Sequence, residues 1–208
     1  MENPFETQVE RYERWFERHP AAYRSELEAV RQLLPKEGRG LEIGMGSGRF
    51  AAPLGIREGV EPAAAMRILA EKRGLHPVPG TAEALPFPDE SFDFALMVTT
   101  LCFVQDPAAA CREAWRILRP GGALIIGGVD ADSDLGRTYL ARRDRSPFYR
   151  HARFLSASEV LQLLDDAGFG NFRCRQTLFR PPEEMDEPDP VREGFGEGGF
   201  VVIRGERP

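Results

Sequence analysis

The chain has 208 residues with a formal charge of −6, 29% charged and 42% hydrophobic. That is enough for one soluble domain with its own core, and the acidic balance excludes the basic face that broad nucleic-acid binding needs. No apolar run approaches the roughly 20 residues of a membrane-spanning helix, so membrane insertion is not expected. The acidic start Met-Glu-Asn-Pro-Phe-Glu does not read as a secretory signal, and the three scattered cysteines lack C-x-x-C spacing, so a reduced, cytoplasmic, metal-free protein is expected.

Asn3 and Pro4 read as an N-cap followed by proline at the first helical position, with Glu6 placed to close a capping box. Phe5, Val9, Tyr12 and Phe16 then recur at helical spacing, joined by Trp15. A second helix starts near Pro20, carries Tyr23, Leu27, Val30 and Leu34 on one face, and stops at Pro35. This segment, residues 1–36, is either a plain covering layer or a lid over a bound ligand. In the second case Tyr12 and Trp15 are the residues to watch.

The run Leu41-Glu42-Ile43-Gly44-Met45-Gly46-Ser47-Gly48-Arg49-Phe50 is an apolar strand entering three alternating glycines. Glycines there let the backbone turn with positive φ and bring bare peptide groups against a ligand. Such a turn holds a nucleoside-bearing cofactor at the carboxyl end of the first strand of an open α/β sheet. The dinucleotide fingerprint would need glycine at position 49, where arginine stands. That displacement favours S-adenosylmethionine over a nicotinamide cofactor.

From there strand and helix signals alternate. Strands are expected near 40–44, 57–61, 76–79, 93–99, 122–129, 171–179 and 199–204, with helices near 48–54, 62–73, 107–118 and 156–167. The predicted fold is a single α/β domain: a doubly wound, mostly parallel seven-stranded sheet closed by an antiparallel C-terminal strand pair. Asp106-Pro107 caps the third of these helices, and Ser156-Ala157-Ser158-Glu159 is a capping box for the fourth. An acidic, proline-rich loop at 181–190 separates the last two strands.

Four ordered segments, LEIGMGSGRF at 41–50, GVEP at 59–62, GTAEALPFPDESFDFALM at 80–97 and ILRPGGALII at 117–126, give the chain a family resemblance. It resembles the class I S-adenosylmethionine-dependent methyltransferases, particularly the small bacterial, Rossmann-like group related to ubiquinone and menaquinone biosynthesis. The resemblance implies that Glu42 and the loop through Gly44, Gly46 and Gly48 hold the methionine end of the cofactor. It implies that Glu61 accepts from both ribose hydroxyls, that Pro62 packs on the adenine, and that Thr81, Ala82 and Glu83 meet the adenine edge. Thr99 would contribute a backbone carbonyl near the amino group. The family commonly has aspartate where Thr81 stands, so either the Thr81 hydroxyl or Glu83 would take the adenine amino group. The short gap from Gly44 to Glu61 leaves room for a first crossover helix of only a turn or two.

Methyl transfer needs orientation and desolvation and, for some acceptors, removal of a proton. Cys102, after the fourth strand, reads as a small buried thiol. The long connection 130–155 carries Tyr139, Phe148, Tyr149 and His151 with Arg137, Arg142, Arg143, Arg145, Arg150 and Arg153. It is either a solvated helix face with a loop or a substrate cap whose arginines hold an anionic acceptor. Asp130, His151 and Tyr149 are the catalytic candidates, the first two as general base for an amine or hydroxyl. The expected function is methyl transfer to a small molecule, with S-adenosylhomocysteine as product. A non-catalytic cofactor-binding module and, less favoured, a nicotinamide-dependent oxidoreductase are the alternatives.

Overall fold

The alternating signals become one eight-stranded sheet in the computed structural model, which describes residues 3–208 apart from the side chain of His151. The strands are β1 (Gly40–Ile43), β2 (Glu58–Val60), β3 (His76–Val78), β4 (Phe92–Val98), β5 (Leu118–Val129), β6 (Gly170–Thr177), β7 (Arg192–Glu193) and β8 (Phe200–Glu206). Their order is β3-β2-β1-β4-β5-β8-β6-β7, with β1 to β5 parallel and β8 inserted antiparallel between β5 and β6. Strand order reverses between β1 and β4, which opens a crevice at their carboxyl ends. The unexpected eighth strand is β7, a two-residue edge piece pairing with Arg175 and Gln176.

In β4, alternation decides which side chain faces which layer from Phe94 onward. Ala95 and Met97 join one core, while Phe94, Leu96 and Val98 join the other, and Phe92, on the far side of a register shift, joins Ala95 and Met97. Burying a large apolar side chain of this kind stabilises the fold by about 1.5–3 kcal/mol, and a sheet covered on both faces collects that on both. Helices α6 (Pro107–Ile117) and α8 (Ala157–Asp166) cover the first face. Helices α3 (Pro20–Leu33) and α5 (Ala64–Lys72) cover the second, where α2 (Val9–Arg18) adds Phe16. The first crossover helix, α4 (Ala51–Leu54), has four residues.

Local chemistry explains where observed and expected boundaries part. Asp106 caps α6 through Ala109 N at 2.9 Å, and the Ser156–Glu159 capping box forms as expected. The box expected at the N-terminus does not. Asn3 Oδ1 accepts from Phe5 N at 3.1 Å, and the helix breaks at Gln8 into α1 (Pro4–Thr7) and α2. Glu6 instead reaches α5, accepting from Ala64 N at 2.7 Å and Ala65 N at 2.9 Å. Its reason is a vacancy: the N-cap of α5 is Ala63, which has no side-chain acceptor for those donors. Strand β5 starts at Leu118 rather than 122, because the Pro120-Gly121-Gly122 stretch is absorbed as a bulge against β4. The connection 130–155 holds α7 (Asp134–Arg142) and two 3-10 turns, Arg143–Arg145 and Tyr149–His151.

Candidate active site

The glycine run leaves β1 with Gly44, Gly46 and Gly48 at φ of 71°, 56° and 82°, a conformation side-chain-bearing residues rarely adopt. Gly44 has a second reason to be bare, since a Cβ there would lie 2.4 Å from the Thr100 side chain. Glu61 clamps this loop from the end of β2. One carboxylate oxygen accepts from Gly46 N and the other from Ala63 N, both at 2.8 Å. Each oxygen keeps a further lone pair for a hydroxyl donor. Burial raises the pKa of Glu61 more than these two amides lower it.

A second brace holds the loop from outside. Glu13 of α2 accepts from Ser47 Oγ and from the guanidiniums of Arg49 and Arg73. Burial alone would push Glu13 up, but these partners hold it below the usual carboxylate range. Arg49, the residue that breaks the dinucleotide spacing, is therefore part of a bridge between α2 and the glycine loop.

Between these elements lies a cavity of about 1010 Å³. Gly44, Gly46, Glu61, Pro62, Thr81, Ala82, Glu83 and Thr99 line one end. Thr99 sits there at φ 51°, a strained backbone at the carboxyl end of β4 of the kind that marks ligand sites. Glu83 anchors this wall by accepting from Gln105 N at 2.7 Å. An aromatic roof joins the N-terminal helices to the 130–155 connection, with Phe5 5.1 Å from Phe103 and 5.4 Å from Phe148, centroid to centroid. The far end is walled by Trp15, Val129, Leu135, Tyr139, Tyr149 and the carboxylate of Glu26. Glu26 is 6% exposed, and burial pushes its pKa up to about 8.

A methyltransferase-domain family matches residues 41–126 of the chain. An uncharacterized protein of Methanocaldococcus jannaschii is 45% identical across 99% of both chains. A demethylmenaquinone methyltransferase of Roseiflexus castenholzii is 32% identical, covering 73% of this chain and 65% of its own. The crystal structure of a Thermotoga maritima protein described as a "SAM-dependent methyltransferase, possible histamine N-methyltransferase" is 57% identical. It covers 98% of each chain with a TM-score of 0.96. The chain belongs to the class I S-adenosylmethionine-dependent methyltransferases. S-adenosylmethionine is its cofactor.

In this methyltransferase the residues expected at the cofactor fall into two groups. Gly44, Gly46, Glu61, Pro62, Thr81, Ala82, Glu83 and Thr99 share the cavity wall. Glu42 and Gly48 stand behind it. The Glu42 carboxylate accepts from Ala51 N at 2.9 Å and so caps α4, while a Cβ on Gly48 would meet Leu75 at 2.2 Å. Burial lifts the Glu42 pKa well above the ordinary value. The bare glycine backbone, with a buried acid offering vacant lone pairs beside it, fits a ligand that carries a vicinal diol and a zwitterionic tail.

The catalytic candidates separate as well. Tyr149 lines the cavity, and burial raises its phenol well above the usual value, so it stays protonated and has a proton to donate. Asp130 does not line that cavity. Its carboxylate accepts from Asp132 N at 3.0 Å and Ala157 N at 3.2 Å, which commits it to the turn before α7 and the start of α8. Asp130 borders a separate small cavity of about 40 Å³ with Cys102, whose thiol burial pushes up to about 12. The side chain of His151 lies outside the described residues. Arg137, Arg142, Arg143, Arg145, Arg150 and Arg153 are exposed and none lines the main cavity, so the structure does not support the expected arginine grip on an anion. What this connection turns to the cavity is aromatic: Tyr139, Phe148 and Tyr149.

Glu26 and Glu13 are the polar residues that sequence reasoning missed, while Glu6 was read as closing a capping box and holds the start of α5 instead. Glu26 had a readable signal: it falls in the stripe Ala22, Glu26, Val30, Leu33, where an acid interrupts an apolar face at helical spacing.

Proposed function

We propose that the protein transfers the methyl group of S-adenosylmethionine to a small molecule held inside this cavity. In this reading the whole chain is one domain, residues 1–36 roof the cavity, and residues 130–155 cap the acceptor. The observation that carries it is continuity: one cavity runs from Glu61 and the glycine loop to the aromatic wall around Tyr139 and Tyr149. Its two ends suit a cofactor and a small partner placed end to end.

S-adenosylmethionine supplies an electrophilic methyl on a sulfonium. The chain supplies position and dryness. Glu61 accepts from the ribose hydroxyls with its remaining lone pairs, while its bonds to Gly46 N and Ala63 N fix its own orientation. Pro62 packs on the adenine, and Thr81, Ala82 and Glu83 meet its edge. The glycine loop and the Thr99 backbone receive the methionine end. Phe5, Tyr12, Phe103 and Phe148 close the roof and exclude water, which strengthens every polar contact beneath them. Tyr149, protonated, donates to the acceptor and orients it.

The test is transfer of radiolabelled methyl from S-adenosylmethionine to a panel of small amines, alcohols, thiols and phenols, with Glu61→Ala as control. Label in a small-molecule product from the wild type, and its loss in the variant, supports the reading. Cofactor binding without transfer to any small acceptor, or label appearing in macromolecules alone, rejects it.

A further inference from the structure

Glu26 is a buried ionisable carboxyl at the acceptor end of the cavity, with no role in holding the cofactor. It lies one helical turn before Val30, which packs beneath β5 close to Gly127, so the fold carries its carboxylate to the carboxyl end of the sheet. There it is 6% exposed and faces the cavity, and no described residue gives it a hydrogen bond or an ion pair. A carboxylate held that way is costly unless a ligand satisfies it.

The groups around it narrow the ligand. From α7 and the turn after it come Tyr139 and Tyr149, both kept protonated by burial, with Glu26 adding to the negative field on each. Glu183 of the 181–190 loop adds to that field at Tyr139. From its own helix, Tyr23 spends its hydroxyl on Arg49 O. The exposed Arg11 and Arg18 of α2 and His19 at the junction with α3 line the cavity, and Glu61 lines its other end. A dry carboxylate among aromatic faces is a receptor for a cation that also carries N–H donors.

We propose that the acceptor is a small amine and that Glu26 is the residue that binds its nitrogen and takes its proton. The proposal rests on reading the cavity as the site of methyl transfer. An ammonium gives one proton to the Glu26 carboxylate and gains a lone pair. The N–C bond then forms as the C–S bond breaks, and the C–S electron pair stays on sulfur as neutral S-adenosylhomocysteine. The methylated amine leaves as an ammonium, and the proton on Glu26 passes to water. A carboxyl whose pKa burial has raised to about 8 can take a proton from an amine and then return it, which an ordinary surface glutamate does poorly.

The experiment is calorimetric titration of the protein saturated with S-adenosylhomocysteine, for wild type and Glu26→Gln. The probes are histamine and 2-phenylethylamine, each beside its alcohol counterpart, with phenylacetate as the anion. The expected result is that the wild type binds an amine at least tenfold more tightly than its alcohol or the anion. Glu26→Gln should lose that preference while holding S-adenosylhomocysteine within about twofold of wild type, which shows that the variant is folded. Equal binding of amine and alcohol, or an amine preference that survives in Glu26→Gln, overturns the assignment but leaves the cofactor site standing. Failure of the wild type to bind S-adenosylhomocysteine overturns the cavity reading itself, and the assignment with it.

Discussion

Glu42, Glu61 and Glu26 are all nearly inaccessible to solvent, yet their partners give them different work. Glu42 is spent on the first turn of α4 behind the cavity. Glu61 is half-spent on backbone amides and keeps acceptor capacity toward the cavity. Glu26 is unspent. Its stability signature follows from the direction of its shift. The folded-state pKa, about 8, lies above the ordinary 4.5, so the group's contribution is fully present below about pH 4.5 and is lost as pH rises toward 8. The unliganded protein should therefore lose on the order of a few kcal/mol through this group between those limits. Glu26→Gln should flatten that part of the melting-temperature profile and melt higher than wild type at pH 8. A variant that melts lower than wild type at pH 8 would mean that the carboxylate has a structural partner. At this scale the sequence displayed Glu61 and the glycines, because motif spacing encodes them. It did not separate Asp130 from the site, because a carboxylate turned back onto Asp132 N and Ala157 N has the same residue type as one turned to a ligand.

The elements that position the site are joined by side chains bridging helix to loop. Glu13 ties α2 to Ser47, Arg49 and Arg73, and Glu6 ties α1 to the start of α5. Because its partners hold Glu13 below its usual range, its contribution is present above about pH 4.5 and is lost as pH falls through the lower folded value. Glu13→Ala should cost about 2–3 kcal/mol at pH 7, since it leaves the guanidiniums of Arg49 and Arg73 without their carboxylate. The gap to wild type should narrow in acid, and denaturant unfolding at pH 7 and pH 3.5 checks both. An equal cost at the two values would show that Glu13 acts through packing rather than charge. Helices and strands were legible from periodicity and caps, but these bridges were not. Glu6 stands three residues after an N-cap, which is the local pattern of a capping box, and only the fold brings the uncapped start of α5 within its reach.

For the whole molecule, alternating strand and helix patterns made the parallel sheet and its covering layers readable, and the short Gly44–Glu61 gap correctly forecast a minimal first crossover. The insertion of β8 between β5 and β6 was legible only as an antiparallel pair, since nothing local to either strand specifies its neighbour. The cavity was the least visible feature, because it belongs to no segment. Residues from α1, α2 and α3 meet the strand ends and the 130–155 cap across a space that exists only once all of them are packed. We infer that Glu61 and the glycine loop hold S-adenosylmethionine at one end of that space. The most direct test is calorimetric titration of S-adenosylhomocysteine into wild type and Glu61→Ala. The account predicts saturable binding to the wild type, and in the variant a loss of roughly a hundredfold, from the two charge-assisted hydrogen bonds removed. Equal affinity in the two proteins, or no binding to the wild type, would contradict it.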